Sequence, residues 1–243
     1  LSVGFTIFVI GLFKKLVLAD IVVYWSDAVF NGAANGVAPS LVDSWVGAIS
    51  FTLLIYFDFS SYSDMAIGLS KMLGIRLPEN FNSPYKATSI IEFWRRWHIT
   101  LSSFLRDYLY IPLGGNRKGQ MRRHVNLMIV MLLAGLWHGA NWQFVLWGGL
   151  HGTYLLINHL WGSQKLIILP KLVGFLITFV AVVFAWIPFR AETWDASVLV
   201  LKGMIGLNGI ILPVHYEALL PSAAAHALES LGVMFSALTV YGG

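Results

Sequence analysis

The sequence contains no cysteine, and only 12% of its 243 residues carry a charge. Without thiols, disulfide cross-links and cysteine nucleophiles are excluded. The scarcity of charge excludes an ordinary water-soluble globule, since 57% of the residues are hydrophobic and the mean hydropathy is +0.71. Residues 125–164 lack Asp, Glu, Lys and Arg altogether. That stretch is about twice the roughly 20 residues of one helical crossing, so it spans twice, or spans once and re-enters. A second charge-free stretch covers 172–189, and shorter ones cover 1–13, 44–57, 203–216 and 230–243. Together they predict an all-α, polytopic transmembrane helical bundle of roughly six to eight embedded helices, with amphipathic interfacial and re-entrant pieces.

No internal repeat or charged linker divides the chain, so one membrane domain over 1–243 is expected. Residue 1 is Leu, inside an apolar run with no basic n-region before it, which reads as an N-terminally truncated piece. Ten Trp and nine Tyr suit aromatic belts at two membrane interfaces.

What charge there is falls unevenly. Ten of the sixteen Lys and Arg residues lie between 71 and 124, against Glu79, Glu92 and Asp107, leaving that segment at +7. The positive-inside rule puts such a segment on the cytoplasmic side, where it also attracts anionic lipid. Nucleic acid is not the expected partner, because membrane-type aromatics thread the segment. Inside it, Ser89 followed by Glu92 is a capping-box pattern that opens a helix running to about Tyr110, before Pro112 and Gly114-Gly115. Ile91, Trp94, Leu101 and Leu105 then share one face, and His98 projects toward it.

Ionisable groups at membrane depth are costly, which directs attention to His138 in Leu136-Trp137-His138-Gly139-Ala140-Asn141-Trp142. Such a histidine is either a hydrogen-bonded packing group or a catalyst. On a continuous helix Ala134, Gly135, Asn141, Val145 and Gly149 share its face and leave a groove, unless they serve close helix packing instead. A neutral imidazole in a dry site can take the proton of a hydroxyl attacking an activated carbonyl, with no metal needed. No histidine pair stands at the i, i+4 spacing of a zinc site. Nucleophile-elbow, phosphate-loop and dinucleotide motifs are absent. Asp58 and Asp64 could anchor arginines, bind a cation or line a path.

These residues resemble the membrane-bound O-acyltransferase (MBOAT) family, in its bacterial alginate O-acetyltransferase-like branch. The resemblance runs through Gly11-Leu12-Phe13-Lys14-Lys15, Asp58 to Gly68, Leu77 to Tyr85, Glu92 to Ser102, Arg106 to Arg117 and Gly135 to Ala140. Ser61 stands where that branch usually has Gly. The resemblance implies that His138 is the active-site histidine and His98 the second polar residue of the site, a position where distant branches often carry Asn. It further implies a funnel across the inner (plasma) membrane, with an acyl donor entering from the cytoplasm and the acceptor from the other side.

The reaction so implied is O-acetyl transfer toward an exported, alginate-like polysaccharide. His138 would act as general base, His98 would position substrate or polarise the thioester carbonyl, and Trp94, Trp97, Trp137 and Asn141 would shape the passage. The donor is expected to be acetyl-CoA or another acyl thioester, with no tightly bound cofactor. The expected partners are a periplasmic or extracellular SGNH-type acetyltransferase, the polysaccharide acceptor and membrane lipid. D-alanyl or peptidoglycan acyl transfer is the alternative inside the family, and an ion-coupled transporter using Asp58, Asp64 and the histidines is the alternative outside it.

Overall fold

The computed structural model describes residues 1–163, 169–213, 217 and 219–236. The chain is predominantly helical and divides into two compact units, each assembled from separated stretches of sequence. The first comprises Leu1–Leu16 and Tyr56–Phe189, the second Val17–Ile55 and Arg190–Gly243.

Chain order begins with α1 (Ser2–Phe13), a π-helical turn (Lys14–Ala19), α2 (Asp20–Ala34) and the 32-residue α3 (Leu41–Met72). It continues through a 3₁₀ turn (Pro84–Lys86), α4 (Ile90–Arg96), α5 (Ile99–Leu105), a π-helical turn (Arg106–Tyr110), α6 (Gly119–His138) and α7 (Trp142–Ser163). The last elements are α8 (Lys171–Arg190), α9 (Trp194–Met204), β1 (Ile210–Pro213), α10 (Ser222–Ser230) and β2 (Val233–Ser236). Among the described residues, two helices are long and apolar enough to cross a membrane, α3 and α8, fewer than the embedded helices expected from the charge-free runs.

In the first unit, the described part of the charge-free stretch, 125–163, is realised as two helices, α6 and α7, the most extensively packed pair among the described residues. Glycines let them touch backbone to backbone. A Cβ on Gly148 would stand 2.2 Å from the carbonyl oxygen of Met131, and one on Gly135 the same distance from that of Phe144. Small residues at such contacts are the usual means of close helix approach in lipid, where apolar burial between helices has little drive. The same device joins α1 to the second half of α3, since a Cβ on Gly4 would meet the Gly68 carbonyl oxygen at 2.7 Å. Lys14 and Lys15 then pair with Asp64 and Asp58, the former at 2.6 Å. The two aspartates are therefore anchors, for lysines rather than the expected arginines.

The capping signal at Ser89 is realised, with a shifted partner. Ser89 Oγ accepts the Glu92 N–H at 3.2 Å, while the Glu92 carboxylate accepts the Thr88 N–H at 2.7 Å and the Thr88 hydroxyl at 2.9 Å. The helix it opens does not reach Tyr110. It stops after Arg96, and α5 starts at Ile99 in a new direction. The predicted shared face of Ile91, Trp94, Leu101 and Leu105 is thus interrupted between its second and third members.

In the second unit, α2 packs with α9, and Trp45 Nε1 donates to the Met204 carbonyl at 3.0 Å. Arg190 bonds Asp27 at 2.7 Å while lying 5.4 Å from the Phe30 ring centre. β1 and β2 form a two-stranded parallel pair, with Ile210 opposite Val233, which the sequence did not foretell. Of the apolar runs 203–216 and 230–243, residues 214–216 and 237–243 lie outside the described residues.

Replacing Gly148 with Ala forces Met131 and its helix away, an overpacking cost of about 1–3 kcal/mol. Thermal unfolding in detergent should show a clear loss of stability, whereas Gly162→Ala, which meets nothing within 4 Å, should be close to neutral.

Candidate active site

Two interruptions of helical backbone create the site. The first is at His98, which takes a left-handed conformation (φ 42°, ψ 56°), uncommon for a residue with a side chain. It is held there by the loop ahead of the 3₁₀ turn. The Asn80 carbonyl accepts the Ile99 N–H at 3.0 Å, and Asn80 Oδ1 accepts both the N–H and the hydroxyl of Thr100, at 3.2 and 3.0 Å. Asn82 N–H donates to the Arg96 carbonyl at 2.9 Å, and Arg96 returns a guanidinium bond to the Asn82 carbonyl at 3.2 Å. Asn80 and Asn82 thereby grip both sides of the break. Neither was singled out from the sequence, although both lie in the Leu77 to Tyr85 run that carries the family resemblance.

The second interruption follows His138 directly. α6 ends on that residue, and a Cβ on Gly139 would stand 2.8 Å from the Phe144 ring, so a side chain there collides with the first turn of α7. The break voids the expectation that Asn141, Val145 and Gly149 share the His138 face, while Ala134 and Gly135 keep their places one turn before His138 on α6. Ala134 and Gly135 serve helix packing, and Asn141 is a cap: its Oδ1 accepts the Gln143 N–H at 3.2 Å and its Nδ2 donates to Gln143 Oε1 at 2.7 Å.

The two breaks bring His98 and His138, forty positions apart, to the same indole. Trp137 lies 6.3 Å from the His98 ring and 4.8 Å from the His138 ring, centre to centre, and is itself 63% exposed. Phe59 and Phe81 back His98 at 4.7 and 6.4 Å. Trp147 and Phe189 meet His138 edge-on at 5.2 and 5.0 Å. Both imidazoles are half-buried, and neither is hydrogen-bonded to protein among the described residues, so their nitrogens are available to a ligand. Between α4 and α5, burial pushes His98 down to about 4, with nearby His138 adding to the effect. Its imidazole is therefore neutral at physiological pH.

The two remaining predicted residues, Trp94 and Trp97, serve packing. Trp94 packs against Trp147 and His151 at 5.9 and 5.1 Å and borders a neighbouring cavity. Trp97 is 4% exposed, stacked on Phe93 and tilted against Trp186, a core residue rather than an open wall. Trp137 alone of the three tryptophans touches both histidines. A residue not anticipated is His151 of α7, wholly buried among Phe93, Trp94 and Trp147, with both ring nitrogens lacking a protein partner. Its position inside the longest charge-free run was the one available signal. Among the described residues no cluster of three His, Cys, Asp or Glu could hold a metal ion.

The chain is predominantly helical, and two of its helix breaks place two half-buried imidazoles against one exposed indole. The chain belongs to the membrane-bound O-acyltransferase family, whose profile matches residues 1–191. It is 47% identical over 215 residues to the peptidoglycan O-acetyltransferase of Helicobacter pylori, covering 87% of this chain and 40% of that protein. It is 42% identical over 242 residues to the probable alginate O-acetylase AlgI of Azotobacter vinelandii, covering 98% and 46%. Over a shorter stretch of 118 residues it is 36% identical to the teichoic acid D-alanyltransferase of Streptococcus thermophilus, covering 46% and 28%. The chain spans less than half the length of these relatives.

The depressed His98 value sets a pH dependence. A base whose folded pKa lies below its ordinary 6.5 leaves the unfolded chain holding the extra proton, so stability falls as pH drops from about 6.5 toward 4. His98→Asn should flatten this part of the stability–pH curve measured by chemical unfolding in detergent, while an unchanged slope would remove His98 as its source. Asn80→Ala, which frees the start of α5, is expected to lower stability by roughly 1–3 kcal/mol through the donors left unpaired.

Proposed function

We propose that the protein is a membrane O-acyltransferase that moves an acetyl group from a cytoplasmic thioester, acetyl-CoA or a relative of it, toward a glycan exported across the inner membrane, in which the chain is embedded by several passes. His138 accepts the proton of the attacking hydroxyl as its oxygen bonds to the thioester carbonyl carbon. The carbon–sulfur bond then breaks, and the departing thiolate takes the proton back from the imidazolium. His98, neutral and held by the Asn80 loop, donates a hydrogen bond to the carbonyl oxygen as negative charge grows there. Trp137 forms the floor on which acyl group and acceptor meet. Trp94 backs Trp147, which meets His138 edge-on, Trp97 belongs to the core beside His98, and Asn141 caps the start of α7 just after His138.

The observation carrying this reading is the convergence of two unbonded imidazoles on one exposed indole through two separate helix breaks. Sequence similarity to relatives named for alginate, peptidoglycan and teichoic acid acylation supports the reading. An exported polysaccharide of the alginate type is the leading acceptor, with an SGNH-type acetyltransferase passing the group to sugar. Peptidoglycan is the second acceptor, favoured by the 47% identity to the H. pylori protein. The ion-transport alternative is disfavoured, because Asp58 and Asp64 are held by Lys15 and Lys14.

His138→Ala should lower glycan O-acetylation by a factor of about 10² to 10⁴, the usual worth of a positioned base, with membrane insertion and expression unchanged. Retained acetylation in a properly inserted variant would remove the catalytic assignment.

A further inference from the structure

Beside the histidine pair, α4, α5, the following π-helical turn, α6 and α7 enclose a cavity of about 490 Å³, within the roughly 300–1,000 Å³ range that ligands occupy. Its composition is two-sided. Ile91, Leu127, Val130, Met131 and Leu155 make an aliphatic wall, while Arg95, Arg106 and His159 supply the polar border with Ser102 and Ser103. No carboxylate lines it. Arg106 is bonded to Asp107 through Nε and one terminal nitrogen, at 2.7 and 3.1 Å, and Arg95 makes no ion pair among the described residues.

The basic side extends behind the cavity wall. Arg123 and His124 lie within electrostatic reach of His159, and Arg123 within reach of Tyr110, another lining residue. Arg123 Nε and His124 Nε2 are buried without a hydrogen-bond partner. Like charges gathered in a poorly hydrated place repel one another, and buried donors left unpaired cost about 1–3 kcal/mol each. An anion bound in the cavity offsets the repulsion. Glu92, the nearest acidic residue on α4, is occupied with Thr88 and Arg96.

We propose that this cavity is a binding site for one anionic phospholipid of the cytoplasmic leaflet, its phosphate held at the Arg95, Arg106 and His159 side with the Arg123 charge behind it, and an acyl chain laid along the Ile91, Leu127, Val130, Met131 and Leu155 wall. A free phosphate would leave that wall unfilled. The +7 segment from 71 to 124 places the site on the side where anionic lipids gather. This site is separate from the proposed acyl-transfer chemistry and stands without it.

The test uses the protein purified in neutral detergent and titrated with phosphatidylglycerol or phosphatidylcholine, bound lipid being counted by native mass spectrometry. One phosphatidylglycerol should be retained in preference to phosphatidylcholine. Arg123→Gln and, separately, the exposed Arg106→Gln should each weaken that preference roughly fivefold, whereas Lys71→Gln, equally basic but outside the cavity, should leave it intact. Arg106→Gln keeps the test decisive should Arg123→Gln fail to fold. Equal retention of the two lipids, or an equal loss in Lys71→Gln, overturns the site. Stoichiometric displacement of the bound lipid by acetyl-CoA also overturns it and assigns the cavity to the thioester donor.

Discussion

The backbone reversal at His98 is the constraint on which the site depends. A straight helix from Ser89 to Tyr110 would be easier to form, since a left-handed residue with a side chain costs of order 1–3 kcal/mol. The Asn80–Asn82 loop offsets that cost with bonds to Arg96, Ile99 and Thr100 on both sides of the turn. The result is an imidazole presented at a corner rather than on a cylinder. Its ring meets Phe59 and Phe81 on one side and Trp137 on the other.

The complementary break after His138 relies on the absence of a side chain. Gly139 passes so close to Phe144 that a Cβ has no room, and α6 stops with its last residue at the end of the helix. Close packing of α6 on α7 through Gly135 and Gly148 then fixes where that end lies. Helix packing and site geometry are in this respect one problem: the glycines that allow the approach also set the position of the histidine.

Much of this was legible in residues. Charge-free runs announced α6, α7 and α8, Ser89 announced the start of α4, and His98 and His138 stood out as titratable groups in apolar surroundings. The breaks themselves were not legible. Trp97-His98 has no Gly or Pro to mark a turn, and the cause lies far off in sequence, in bonds from the Asn80 carbonyl and side chain to Ile99 and Thr100. Periodicity assumes a continuous helix, so it placed Asn141, Val145 and Gly149 beside His138 when the chain had already turned. The tryptophans misled for another reason: aromatic residues serve equally in a core and along a passage, and only packing distinguishes buried Trp97 from open Trp137.

The central claim is that His98 and His138 act as one unit on one reacting carbonyl. A double-mutant cycle on the acyl-transfer rate tests it most directly, using His98→Asn, His138→Ala and the pair together. Residues that act as a unit are strongly non-additive. The account predicts that the double variant is scarcely slower than His138→Ala alone. Losses that multiply, with each substitution contributing its full factor in the presence of the other, would contradict it.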